Sequence, residues 1–74
     1  MNFEVLELVI LNRDLPEHGL RKGDLGTVVE TYESDGVEVE FVTAAGDTRA
    51  VVTLASTDVR RVEAVDMLAV RPLR

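Results

Sequence analysis

The side chains of this 74-residue sequence with the most chemistry in them are three glutamates, Glu30, Glu38 and Glu40, and a single histidine, His18. Carboxylates held a few ångströms apart can hydrolyse a glycoside, one acting as acid and the other as base or nucleophile. Alternate spacing at 38 and 40, with Glu30 on a neighbouring strand, would bring all three onto one sheet face. That chemistry also needs a cleft that holds a sugar and excludes water. A domain of this size leaves little room for one, so a solvated strand face is the stronger reading. His18, beside Glu17 in the first loop, could bind a ligand, but a solvated loop histidine is the stronger reading. A metal site would need further ligands, and the sequence holds no second His and no Cys. Ser34, Ser56 and the threonines have no general base nearby to activate them. Gly23 and Gly26 precede a strand rather than a helix, so no helix N-terminus is there to hold an anion. The expectation is a non-enzymatic protein with no catalytic residue, cofactor or metal.

Charge points the same way. Fourteen acids stand against eight bases, a net charge of −6. Residues 24–48 carry seven of those acids (Asp24, Glu30, Glu33, Asp35, Glu38, Glu40 and Asp47) and no base. Such a surface repels a phosphate backbone, whereas nucleic-acid binding normally starts from a basic patch. It attracts a basic protein and speeds that encounter. Arg21, Lys22, Arg60, Arg61, Arg71 and Arg74 lie outside the acidic stretch and remain available to gather on one side. No basic leader opens the chain, Glu4 and Glu7 interrupt the first apolar run, and no stretch is long enough to span a bilayer. With no Cys, these features predict a cytoplasmic protein without a membrane partner.

The elements that must position these residues follow from Gly and Pro punctuation at short intervals, which predicts one all-β domain over 1–74. A first strand lies within residues 6–12 and ends before Pro16, which has no N–H for a ladder. Residues 14–24 form a long loop in which Leu15 and Leu20 fold back over the barrel mouth. Gly19 and Gly23 are suited to positive φ, and Gly26 to a sharp turn into the next strand. Strands at 25–33 and 37–43 are joined by Ser34-Asp35-Gly36, with Gly36 left-handed. That register puts Val29 opposite Phe41, Thr31 opposite Val39, and Glu30 outward across from Glu40. A strand at 48–54 follows, pairing Phe41 with Ala50, Val39 with Val52 and Val37 with Leu54, all facing inward. One helical turn at 55–58 and a short strand at 59–62 complete the domain. The tail, 63–74, reads as a turn and then an extended segment able to pair with the first strand.

The run R-D-L-P-E-H-G-L-R-K-G-D-L-G-T-V-V, followed by V-E-V-E-F-V, A-V-V-T-L and D-V-R-R-V, resembles an uncharacterised family of small bacterial and cyanobacterial proteins. The resemblance covers almost the whole chain and implies a five-stranded SH3-like barrel, with no activity attached to it. The element Gly23-Asp24-x-Gly26-x-Val28 is also similar to the start of KOW motifs in ribosomal and transcription-elongation proteins. It resembles as well the SH3-like domains of nitrile hydratase β subunits and of small electron-transfer accessory chains. These likenesses imply, as alternatives, a nucleic-acid module using Arg21, Lys22, Arg60 and Arg61, or an accessory subunit of an enzyme complex.

The register places Val28, Tyr32, Val42 and Val51 on the outer face with Glu30, Glu38, Glu40 and Arg49. Apolar groups among acids have the layout of an interface with an apolar centre and a charged rim. The loop residues Asp14, Leu15, Pro16, Glu17, His18 and Leu20 are a second candidate surface, by fold analogy. One Tyr is too few for an aromatic groove that takes proline-rich peptides. The sequence therefore predicts a small acidic adaptor, or an antitoxin- or immunity-like partner, acting on a larger basic protein. Self-association is left open.

Overall fold

Val37, Val39 and Phe41 alternate with Glu38 and Glu40, a pattern that buries one face and solvates the other only in an extended strand. In the computed structural model, which describes residues 2–72, that strand is one of five. They are β1 (Leu8–Leu11), β2 (Leu25–Tyr32), β3 (Gly36–Val42), β4 (Thr48–Ala55) and β5 (Val59–Arg61). All pairings are antiparallel, in the order β4-β3-β2-β1-β5. A 3-10 turn at Pro16–His18 sits in the first loop, and another at Ser56–Asp58 links β4 to β5. This is the layout expected of an SH3-like barrel: long first loop, three-stranded meander, single turn, short last strand. Every strand sends residues into one core, from Val9 and Leu11 on β1 to Val59 on β5, so the sheet curls around it. No helix among the described residues is long and apolar enough to cross a membrane.

The β3–β4 register is the expected one, with Phe41 opposite Ala50, Val39 opposite Val52 and Val37 opposite Leu54. A small residue beside the ring of Phe41 lets this layer fill without strain. The β2–β3 register differs from the expectation. The connecting turn is Glu33-Ser34-Asp35, with Asp35 rather than Gly36 left-handed (φ 61°), and Gly36 already pairs with Tyr32 inside the ladder. Thr31 therefore meets Val37 and Glu30 meets Glu38. A β-bulge then makes Val29 an extra residue, since Glu30 pairs with Glu38 but Val28 with Val39.

The bulge reverses the facing of the first half of β2. Val28 points into the core and is fully buried, while Val29 is only half-buried. Burying a valine on this scale stabilises by about 1.5–3 kcal/mol. Gly26 explains the preference for this phase. A Cβ there would lie 2.5 Å from Val39 Cγ1 and 2.8 Å from Phe41 Cε1, so Gly26 makes room for the core instead of turning the chain.

Leu15 and Leu20 are buried and tie the long loop together through reciprocal backbone bonds of 2.9 and 3.1 Å. Gly19 and Gly23 take the positive φ expected of them. The tail makes its turn, with Asp66 N–H donating to Glu63 O at 2.9 Å, but it adds no strand to β1. β1 already has β2 and β5 on its two sides, so it has no free edge to offer. Leu73 and Arg74 lie outside the described residues.

Candidate functional site

Beyond the bulge, alternation turns Glu30 and Tyr32 outward from β2, and Glu38, Glu40 and Val42 outward from β3. Glu30 and Glu38 are direct cross-strand partners. Like charges in that position destabilise a ladder. Glu38 accepts a 2.6 Å hydrogen bond from the Tyr32 hydroxyl, and Glu40 a 2.8 Å bond from Thr48 Oγ1. The hydrogen bond to the Glu38 carboxylate also raises the Tyr32 pKa above its ordinary value, keeping the phenol protonated. Among the described residues no Lys, Arg or His lies within ion-pairing distance of Glu30, Glu38 or Glu40.

The apolar part of the face is larger than the sequence suggested. Val42 (53% exposed) and Val51 (48%) are joined by Leu8 (48%) and Leu25 (40%). Leu8 pairs with Thr27, Thr27 with Glu40, and Glu40 with Val51, so one cross-strand row runs over four strands. A shallow groove of about 720 Å³ opens here, with Leu8, Leu25, Glu40 and Val42 in its lining and residues 69–72 of the tail along it. It is the cleft that sequence reasoning did not expect. Glu40 is the one glutamate of the three that lines it, so paired-carboxylate chemistry is not assembled inside it.

The other proposed site residues separate clearly. Val28 is removed from the face by the bulge at Val29 and belongs to the core. Arg49 is bulged out of β4, because Phe41 pairs with Ala50 but Val42 with Thr48. Its guanidinium lies against Gly19, where a Cβ would be 2.6 Å from Nη2, and the residue still lines the outer-face groove with Glu40 and Val42. In the long loop, Leu15 and Leu20 are core residues with almost no surface to offer a partner. Asp14 accepts the Lys22 N–H at 2.7 Å, which fits the role of a turn-maker. Pro16, Glu17 and His18 form the 3-10 turn, with Pro16 and Glu17 exposed and His18 half-buried. Asp14, Pro16 and Leu20 also line an adjoining groove of about 550 Å³, which shares Leu20, Arg71 and Pro72 with the first.

A second population of carboxylates behaves differently. Asp58 is paired with Arg13 at 3.0 Å, Asp66 with Arg60 at 2.9 Å, Glu7 with Arg61, and Asp24 with Arg71. The Arg71 pair is bidentate, and its Nη2 also donates to Gly19 O at 3.1 Å, fastening the tail to the long loop. Arg71 holds the Asp24 carboxyl below its ordinary pKa. Arg60, helped by the Glu63 N–H, pulls Asp66 down to about 2. Arg61 also stacks over the buried Phe3 ring, 4.7 Å from its centroid. Two of the four cations considered for nucleic acid, Arg60 and Arg61, are thus already engaged within the chain.

Residues 5–61 match the family model of a domain of unknown function, DUF4926. The chain belongs to the DUF4926 family. The match runs from just before β1 to the last residue of β5, so the outer face lies within it while the turn at 63–66 and Arg71 lie beyond it. No curated protein and no solved structure matches the chain.

Sequence reasoning missed Leu8 and Leu25. The continuous apolar run of β1 hid the alternation that turns Leu8 outward. Leu25 depends on the phase of β2, which the bulge sets.

Proposed function

We propose that this domain is a non-enzymatic protein-interaction module that docks a basic surface of a larger protein on the outer face of β2, β3 and β4. One observation carries the reading: Glu30, Glu38 and Glu40 share a face with the half-exposed Leu8, Leu25, Val42 and Val51, and none of the three is ion-paired among the described residues. Apolar side chains would supply buried area, and the carboxylates would supply steering and register. An adaptor, an accessory subunit of an enzyme complex, or an antitoxin- or immunity-like inhibitor would use the face in the same way.

The test is affinity capture in the native host at moderate salt, comparing the wild type with a Glu38→Lys/Glu40→Lys variant shown to be folded. The reading predicts one stoichiometric basic protein with the wild type and its loss with the variant. Equal recovery with both proteins would refute it, and so would recovery of the bait alone. Capture abolished by nuclease would point to the KOW-like alternative instead.

A further inference from the structure

Asp24 and Gly19 hold the Arg71 guanidinium from two sides. Its Nε donates to Asp24 Oδ1 at 2.9 Å, and its Nη2 donates to Asp24 Oδ2 and, at 3.1 Å, to Gly19 O. The long loop sets these acceptors without help from the tail. The Arg21 N–H donates to Asp24 Oδ2 at 2.8 Å, the Asp24 N–H donates to Arg21 O at 3.0 Å, and the Leu15–Leu20 bridge closes the turn that carries Gly19. Both acceptors lie within the family-matched residues 5–61, and Arg71 lies beyond them. The cradle therefore belongs to the domain and the arginine to the segment that follows it. Asp24 and Arg71 also line the outer-face groove. Residues 69–72 run along that groove without filling it: Val70 is 98% exposed, while Leu8, Leu25 and Val42 in the wall stay half-exposed. The tail is held there by its guanidinium and not by its apolar side chains.

We infer that Gly19 and Asp24 form an arginine-binding site for an extended segment of a protein partner, and that Arg71 occupies it in cis until the partner's arginine takes its place. The acceptor set selects arginine. Two carboxylate oxygens and a carbonyl are met at once by a planar fork of N–H donors, whereas a lysine ammonium is a point charge without that fork. The half-exposed wall selects an apolar residue beside that arginine, directed into the groove where Val70 is directed out. An ion pair open to solvent holds only weakly, so the tail is readily displaced. The gain on exchange lies in the apolar area that the tail leaves bare. A tethered arginine competes at an effective concentration of about millimolar, so a segment offering charge alone is turned away. Assigning the groove to a protein partner rests on the reading above, but the site itself is testable without that partner.

Amide NMR of the full chain tests it, with an acetylated and amidated peptide of the tail sequence 68–72, L-A-V-R-P, as the probe. Arg71→Ala empties the cradle and removes only a contact from beyond the domain, and the same spectra report that the fold is kept. Titration to several millimolar should shift the amides of Gly19, Leu20, Asp24 and Leu25 in Arg71→Ala. The wild type should need about tenfold more peptide, because its own arginine competes. A peptide with Ala in place of the arginine should leave these amides unmoved, and one with Lys should bind more weakly. Arg71→Ala/Asp24→Asn should not respond to any of them. No shift in Arg71→Ala overturns the inference, as does an equal response from wild type and variant. Equal responses to the Arg, Lys and Ala peptides overturn it too. None of these outcomes alters the Glu38→Lys/Glu40→Lys comparison, so failure of this site and failure of the partner-binding reading are told apart.

Discussion

Acids at the loop-and-tail end of this molecule and acids on the outer face of β2 and β3 are the same chemical groups put to opposite uses. Around the first loop and the tail, Asp24, Asp58, Asp66 and Glu7 each hold an arginine, and each pair ties together segments distant in the chain or closes a turn. On the outer face, Glu30 and Glu38 oppose each other directly, and Glu38 and Glu40 accept hydrogen bonds from neutral hydroxyls. Carboxylates that serve the fold carry their counter-charge with them. Those without one place a standing cost on the sheet and leave a field for an incoming partner.

The largest expected effect comes from inverting the unpaired region. Glu38→Lys/Glu40→Lys should weaken partner binding about 100-fold, in the range seen when interfacial charge pairs are broken. The new ammonium at position 38 would then face Glu30, a gain of about 0.2–1 kcal/mol that offsets the lost hydrogen bonds from Tyr32 and Thr48, so thermal stability should hold. A fall in melting temperature with binding retained would erase the contrast. Giving the face an internal cation is a milder change. Thr27→Arg places a guanidinium opposite Glu40 and should lower partner affinity roughly tenfold, measured by calorimetry against the captured partner.

Cutting a paired region should do the reverse. Arg71→Ala frees the tail from Asp24 and Gly19, and hydrogen exchange should quicken around residues 19–24. Stability should drop only slightly, as for an ion pair open to solvent. Acid should have a related effect. Asp66 titrates at about 2 in the folded chain, below its ordinary value of 3.8, because of Arg60. A lowered folded pKa gives stability that is present above the unfolded value and lost as pH falls through the folded one. The Arg60–Asp66 turn should therefore loosen between about pH 4 and about pH 2, and Asp66→Asn should remove that dependence from the thermal melts. Tyr32→Phe is the smallest change. It removes one exposed hydrogen bond to Glu38 and should lower the melting temperature only slightly.

Much of this was legible in the sequence where local pattern and burial agree. Val37, Val39 and Phe41 came out in register with Leu54, Val52 and Ala50 because only one phase puts every apolar residue inside; the expected four-residue loop at 44–47 is in fact five residues, 43–47, and the bulge at Arg49 restores the phase. Leu15 and Leu20 were readable as loop residues with an apolar purpose. The first half of β2 was not readable. Val28 and Val29 are equally apolar, and only the room that Gly26 leaves for Val39 and Phe41 decides which of them goes inside. The ion pairs escaped for a different reason. Arg71 and Asp24 are 47 residues apart, and nothing local in the sequence signals their meeting. For the candidate site this meant that Glu30, Tyr32, Glu38, Glu40, Val42 and Val51 were assigned to the face on which the structure has them, Val28 was not, and Leu8 and Leu25 were overlooked.

The contrast between the two regions is tested most directly by hydrogen–deuterium exchange on the complex with the captured partner. Binding should protect residues 38–42 and 48–53, and leave residues 13–18 and the 63–66 turn exchanging as they do in the free domain. Protection confined to the loop and tail, with the outer face unchanged, would contradict the assignment of the unpaired glutamates to partner recognition.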